Sequence, residues 1–268
     1  MTIQLSIRDL YHKIEEYKGD KILTELLLPW LEQNRYREYL HALPLNREMR
    51  EEDNWELYAF SRVLDLLALS SRPDSYPEDL EEKEPFLTTD EYIQLAKSLG
   101  LNIGYPEKYD PFHCEIATAI AGPLNFEIVG YQHPVVKLKN LMIKRSPVVI
   151  TLDPEAYDFN LVNSALLYWT FRRSNRKTTD LSEGWGSNSQ WRTAFRLDLE
   201  TGQSYIYNLN GKFDLNVPDP ATREELKKQD LRLEDAIELV VNRQFIRCAK
   251  KYDYQFPYDF KYETRKNQ

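Results

Sequence analysis

The chain has 268 residues, 42% of them hydrophobic and 13% aromatic, with a formal net charge of −8 at pH 7. This composition is typical of an ordered globular protein and excludes an intrinsically disordered chain. The first hundred residues hold 12 Lys and Arg against 21 Asp and Glu, and the remainder holds 23 against 22. An acidic first part disfavours nonspecific binding of DNA or anionic membranes, and it suits a basic partner or a solubilising surface.

The first residues, the lack of a long apolar stretch and the cysteines together predict a soluble protein. The first ten residues lack the basic region and apolar run of a signal peptide, and no stretch approaches about eighteen consecutive apolar residues. A cytoplasmic location is therefore expected. Cys114 and Cys248 lie far apart without a Cys-x-x-Cys spacing, which predicts buried thiols and neither a disulfide framework nor a zinc ribbon.

Apolar residues at helical spacing predict helices over most of residues 1–70. Gly19 separates the first helical pattern from the second, and Pro29 should end or kink the second. The acidic run Glu51, Glu52 and Asp53 suits the start of a third helix, because carboxylates stabilise the positive end of the helix dipole.

Residues 71–86 are rich in Pro and acidic residues, which predicts a linker or mobile loop. A short helix should follow this segment. Thr88 or Thr89 is the expected N-cap residue, and Gly100 is the expected stop.

From Tyr109 the pattern changes to the period-two alternation of strands, first at Phe112, Cys114 and Ile116. A strand meander is predicted near the end, because Thr201-Gly202 and Asn210-Gly211 are turn sequences between apolar runs. The predicted strands after residue 120 are 124–131, 135–143, 148–152, 163–171, 190–199, 203–209 and 212–215.

The C-terminal part returns to a helical pattern. Thr222 and Glu225 have the spacing of a capping box, and apolar residues from Leu233 to Cys248 form one stripe of a long helix. The sequence thus predicts an α+β fold with a mostly antiparallel sheet, packed by N-terminal helices and a long C-terminal helix. We expect a single composite domain over 1–268, with a helical part at 1–70, a loop at 71–86 and a sheet-containing part at 109–268.

The densest group of polar and aromatic residues lies between 180 and 198. Glycines flank a Trp and permit close approach of a ligand to the backbone. If 190–199 is a strand, its Arg side chains lie on the face opposite Phe195, where they could grip an anion or belong to an ordinary solvated face. The predicted ligand-binding residues are Trp185, Ser187, Asn188, Gln190, Arg192 and Arg196.

His113 and Glu115 form the second candidate site. On a strand, positions i and i+2 share a face, so an imidazole and a carboxylate would lie side by side as a catalytic acid–base pair. They could equally be half of a metal site, with His133 as a third ligand, or a structural hydrogen-bonded pair. Because the spacing indicates no third ligand, no metal and no cofactor is predicted.

These features leave more than one class of function open. The basic run Arg172, Arg173, Arg176 and Lys177 could dock a phosphate, but the chain is not basic overall and nucleic acid is not an expected partner. The favoured hypothesis is a cytosolic binding protein of immunity or adaptor type, with a protein partner or an anionic small ligand and no membrane contact. The alternative is an enzyme that acts on an anionic small molecule or peptide, with His113 and Glu115 as the acid–base or metal pair and arginines as substrate clamps.

Overall fold

The computed structural model describes residues 6–46, 49–68, 86–164, 193–248, 250 and 257–266. The predicted loop 71–86 lies outside these ranges except for Phe86. In the first hundred residues the chain forms five α-helices and one π-helical turn within the described part. They are α1 Ile7–Glu16, the π-turn Leu23–Leu27, α2 Leu28–Gln33, α3 Tyr36–Ala42, α4 Glu51–Ala68 and α5 Thr89–Ser98.

Local sequence signals place these helix ends. The Ser6 side chain accepts a hydrogen bond from the backbone N–H of Arg8 at the start of α1, and α4 begins at the acidic run. Pro29 lies in the first turn of α2, directly after the π-turn. Because Pro29 has no N–H to donate, the regular hydrogen-bond ladder is interrupted there, and the kink expected at Pro29 stays a prediction.

Helix α5 also begins and ends as predicted. Thr88 is its N-cap residue, and with Glu91 it forms a complete capping box. Gly100 follows the helix with a φ of 69°, in the left-handed region that favours glycine.

A seven-stranded sheet forms the centre of the fold, in the order β1-β4-β5-β7-β8-β10-β9. Neighbouring strands are antiparallel except β9 and β10, which are parallel. Its strands are β1 Asn102–Gly104, β4 Val135–Leu138, β5 Leu141–Lys144, β7 Leu199–Glu200, β8 Ser204–Tyr207, β9 Phe213–Asp214 and β10 Phe260–Arg265.

A second sheet has three strands, β2 Cys114–Ala121, β3 Glu127–Tyr131 and β6 Ser146–Leu152. The order is β2-β6-β3, with β2 parallel and β3 antiparallel to β6. Helix α6, Phe159–Ser164, places Val162 in the apolar cluster beneath this sheet. The α+β class is therefore confirmed, with sheets that are mixed rather than uniformly antiparallel.

The predicted long C-terminal helix is wrong. The structure has two short helices, α7 Pro220–Lys228 and α8 Leu233–Asn242. Helix α8 ends because Arg243 takes the left-handed conformation and its N–H bonds to the carbonyl of Leu239. The N-cap residue of α7 is Asp219, whose carboxylate accepts from the N–H of Thr222, so Thr222 is not the cap.

The predicted strand meander is also corrected. Strands β7 and β8 form the expected hairpin, but β10 lies between β8 and β9. Residues 193–198 are not part of a strand, although the carbonyl of Asp198 accepts from the N–H of Met142 in β5. Asn163 and Ser164 belong to a helix rather than a strand, and residues 165–171 lie outside the described ranges.

The two faces of the large sheet contact different layers. Val136, Leu138 and Ile143 face the apolar core formed with helices α1 to α5. Val135 and Met142, on the opposite face, pack in a second core with α7 and α8. Among the described helices, none is long and apolar enough to cross a membrane.

A buried polar group joins the helical layer to the sheet. Lys144 of β5 and Asp65 of α4 form an ion pair, and both are at most 5% exposed. Nearby, His133 packs its ring against Tyr92 and is 2% exposed. Burial lowers the pKa of His133 to about 4, because the protein interior disfavours the charged imidazolium.

Stability should therefore depend on the protonation of His133. Its folded pKa of about 4 lies below the usual value of about 6.5, so the unfolded chain binds the proton first as the pH falls. This contribution is complete above about pH 6.5 and decreases by about 3 kcal/mol on reaching about pH 4. Urea unfolding of wild type and His133→Phe across this range should show a smaller decrease in the variant; equal pH slopes would contradict the assignment.

Candidate functional site

An open cleft of about 540 Å³ lies over one end of the seven-stranded sheet. In the β1–β4 pair, Asn102 is opposite Lys137 and Gly104 is opposite Val135. Directly paired residues point to the same face, so these four form the floor on the side away from the helical core. The residues that line the cleft are Asn102, Ile103, Gly104, Tyr105, Pro106, Glu107, Lys108, Asp110, His113, Val135 and Lys137.

One wall of the cleft is the turn from Asp110 to His113. The Asp110 carboxylate accepts from the N–H of Phe112 at 2.7 Å, and the Asp110 carbonyl accepts from the N–H of His113 at 3.0 Å. These local bonds fix the turn just before β2 begins at Cys114. The turn thereby holds the imidazole at the edge of the cleft.

Both ring nitrogens of His113 lie beside carboxylates. Nδ1 is 3.4 Å from Oδ2 of Asp110, and Nε2 is 3.8 Å from Oε2 of Glu200. The ring also meets Phe112 and Tyr205 edge-on, with centroid distances of 5.2 and 5.5 Å. His113 is thus held by groups from two separate parts of the chain.

Glu200 of β7 is the centre of the charged cluster beside the cleft. Its two carboxylate oxygens accept from Lys137 at 2.7 Å and from Lys266 at 2.8 Å. Partial burial alone would raise the pKa of Glu200, but these two hydrogen bonds outweigh it and lower the pKa to about 2. Two ammonium groups therefore share one ionised carboxylate. With the ionised Asp110 carboxylate on the same wall, these four groups together carry no net charge.

Tyr205 packs against the turn from Asp110 to His113, beside the cleft. Its ring stacks on Phe112 at a centroid distance of 4.4 Å, and Nζ of Lys266 lies 5.2 Å from the ring centroid. Burial raises the pKa of Tyr205, and the neighbouring Asp110 carboxylate raises it further. For Asp110, burial would raise the pKa, but the hydrogen bonds from His113 and the Phe112 N–H outweigh this effect and lower it. Tyr205 therefore remains a neutral phenol and Asp110 a carboxylate at neutral pH.

The structure changes the interpretation of the pair His113 and Glu115. His113 belongs to a turn, so strand alternation does not relate it to Glu115. The carboxylates within ion-pair distance of His113 are those of Asp110 and Glu200. Glu115 lies in β2 and is only 2% exposed. The predicted catalytic role of this pair thus remains a prediction, without support from the geometry.

Most of the ligand-binding residues predicted from sequence lie outside the described ranges, namely Trp185, Ser187, Asn188, Gln190 and Arg192. Arg196 is described, and the prediction that it faces solvent is wrong. It is 2% exposed, its Nε donates to Asp198 at 2.6 Å, and a terminal nitrogen donates to the carbonyl of Val240.

Arg196 belongs to a buried cluster in which three guanidinium groups surround Asp198. Arg145 and Arg243 lie 3.0 and 3.3 Å from the same carboxylate. Arg145 also donates to the carbonyl of Val241 at 2.7 Å, so two arginines bond to the C-terminal end of α8. The partial negative charge of that helix end offsets part of the excess positive charge. The cluster supports the fold, and it does not bring Arg196 to the cleft.

Within the described residues, no group of three His, Cys, Asp or Glu side chains is arranged to hold a metal ion. His133, the third ligand considered from sequence, is buried, and its Nδ1 lies 2.8 Å from the carbonyl of Pro134. This places His133 in the helix–sheet interface rather than at the cleft.

Sequence reasoning missed the cleft because its lining comes from two segments, 102–113 and 135–137, and the charged cluster beside it adds Glu200 and Lys266. Two local signals were present. Gly104 interrupts an apolar pattern, and an isolated glycine in a strand marks a place where another molecule can approach the backbone. Asp110 and His113 have a spacing that fits one turn. Lys137 and Glu200 carried no signal, since only the strand order β4-β5-β7 brings them together.

Comparison of the chain with protein-family models, with curated proteins and with solved structures gives no match. The argument for function therefore rests on the cleft and its residues.

Proposed function

We propose that this chain is a binding protein, of the immunity or adaptor type, and that the cleft beside β1 is its ligand site. The observation that carries the proposal is an open cleft with a fixed cluster of polar groups along one wall. Its volume of about 540 Å³ lies in the range of about 300 to 1,000 Å³ that is usual for ligand sites. Apolar surface in the cleft comes from Tyr105, Pro106 and Val135. Polar groups that would orient a ligand come from His113 and Lys137.

Charge indicates the kind of ligand. Lys137 lines the cleft, and together with Lys266 it shares the single carboxylate of Glu200. The proposal places an acidic group of the ligand at the Lys137 ammonium, which lines the cleft and can donate a charge-assisted hydrogen bond. The proposal thus includes a protein partner or anionic small ligand and a cytosolic location, without membrane or nucleic-acid partners.

The geometry supports binding more than catalysis. The enzyme alternative assigns general-base catalysis to His113, whose ring nitrogens lie 3.4 Å from Asp110 and 3.8 Å from Glu200. The enzyme alternative also required Glu115 and Arg196 to converge with His113. Glu115 is buried in β2, and Arg196 is bonded to Asp198 and α8.

The cleft can be filled by substitution without straining the strand. A Cβ added at Gly104 meets no atom within 4 Å, and its backbone lies outside the left-handed region. Gly202, in the β7–β8 turn, is equally open and provides a matched control. Gly104→Phe should therefore fold at least as well as wild type, since aromatic residues favour strands.

The test is an NMR titration of wild type, Gly104→Phe and Gly202→Phe with benzoate, and with benzamidine as the matched cation. We expect benzoate to shift the amide signals of 102–105, 107, 108, 110 and 113 in wild type and Gly202→Phe. Binding to Gly104→Phe should weaken at least about tenfold, which corresponds to about 1.4 kcal/mol. Benzoate shifts at other surfaces only, or equal affinity for Gly104→Phe, would contradict the proposal.

A further inference from the structure

The edge of the sheet beside the cleft carries backbone groups that are open to a partner. Strand β1 stands at one end of the seven-stranded order and, among the described strands, pairs with β4 alone. Asn102 and Gly104 are exposed. Helix α5 contacts β1, and α7 contacts β9 at the other end of the sheet.

Natural proteins usually protect such an edge with charged residues, prolines or a covering element, because an open edge recruits another strand. Asn102, Ile103 and Gly104 include neither a charge nor a proline. The β1 edge is thus open at the same place where the sheet face forms the floor of the cleft.

We propose that the occupant of the cleft is an extended segment of a partner polypeptide, which adds to the edge of β1 as a further strand. This inference rests on the proposed function and names the partner class for the same site. Main-chain hydrogen bonds to β1 supply affinity, and alternate side chains of the segment point over the cleft floor.

The floor specifies which side chains fit. A partner residue opposite Gly104 extends the row formed by Gly104 and Val135, where the absence of a Cβ leaves room for a large apolar side chain. The partner residue two positions away extends the row formed by Asn102 and Lys137. The Lys137 ammonium lines the cleft and favours an acidic side chain there. The recognised segment should therefore carry an apolar residue and an acidic residue separated by one position. Their order along the segment depends on whether it pairs parallel or antiparallel to β1.

Two exposed aromatic rings extend the surface beyond β1. Tyr105 is 45% exposed and Tyr131 is 40% exposed, with ring centroids 5.0 Å apart and planes at 68°. The hydroxyl of Tyr131 donates to the carbonyl of Pro106, which holds this ring beside the segment that follows β1. Tyrosines in such positions often contribute strongly to binding of protein partners.

The test uses acetylated, amidated five-residue peptides, Thr-Leu-Thr-Asp-Thr and the reversed order Thr-Asp-Thr-Leu-Thr. One order should bind the full-length protein and slow hydrogen exchange at the amides of 102–104. Replacing Asp by Lys in that peptide should weaken binding at least about tenfold. Replacing Asp by Asn should give an affinity between those of the Asp and Lys peptides. Gly104→Phe should lose the peptide, whereas Gly202→Phe should retain it.

N-methylation separates strand addition from binding through side chains alone. In an added strand, alternate N–H groups face β1, so N-methylation at the third residue and at the fourth should differ in effect by at least about tenfold. Equal effects at both positions, or binding without protection of amides 102–104, would overturn strand addition. Protection that grows with protein concentration without peptide would assign the edge to a second copy and overturn a separate partner.

The outcomes also separate this inference from the proposed function. If benzoate binds at the cleft but neither peptide binds, the cleft remains a ligand site and the polypeptide occupant is wrong. If neither benzoate nor the peptides bind, both proposals fail.

Discussion

Asp198→Asn is expected to lower the free energy of unfolding by about 3 to 5 kcal/mol, the usual cost of breaking a buried ion pair. The carboxylate is completely buried and pairs with Arg145, Arg196 and Arg243. It also accepts the N–H of Asn208 at 2.9 Å. An amide removes the carboxylate that these three guanidinium groups share, and the arginines cannot lose their protons to compensate.

Urea unfolding at pH 7 measures this loss, with Asp259→Asn as the control. Asp259 pairs with Lys212 at 3.1 Å on the surface, so its substitution should change stability by less than about 1 kcal/mol. Burial would raise the pKa of Asp198, but the three arginines lower it to about 2. Its stabilising contribution is therefore present above about pH 4 and is lost towards pH 2. Equal stability of wild type and Asp198→Asn at pH 7 would refute the role of the cluster.

Asp65→Asn is expected to cost a similar amount, about 3 to 5 kcal/mol. Asp65 is the acidic partner of Lys144 across the interface between α4 and β5. Burial lowers the pKa of Lys144, while Asp65 opposes this effect. Without Asp65 the pKa should fall further, so deprotonation of Lys144 should recover part of the lost stability as the pH rises towards about 10.

A double substitution, Asp65→Leu with Lys144→Met, provides the control for packing. Apolar residues of similar size remove both charges, and such replacements are often neutral or stabilising. We expect the double variant to be more stable than Asp65→Asn in urea unfolding at pH 7. A double variant as unstable as the single one would show that packing, rather than charge, determines the loss.

The helical elements could be predicted because their signals are local. The Thr88 capping box and the stop at Gly100 each depend on residues within one or two turns. The end of α8 was not predictable in this way. Its apolar stripe continues to Phe245 and Cys248, but Arg243 takes a left-handed conformation while its side chain bonds to Asp198.

The chemistry of residues 193–199 shows why alternation failed. Alternation assigns Arg196 and Asp198 to the solvent face because both are charged. The structure buries both, since they pair with each other, with Arg145 between β5 and β6, and with the carbonyl of Val240 on α8. For the same reason the cleft could not be predicted as a unit, because Glu200 meets Lys137 and His113 only through the strand order.

The most direct test of the central claim is a crystal structure of the wild-type protein soaked with benzoate. The cleft account predicts benzoate between Gly104 and His113, with its carboxylate towards Lys137. Benzoate bound only elsewhere, such as in the groove beside Ile206 and Tyr262, with this cleft accessible in the crystal, would contradict the assignment of the cleft as the ligand site.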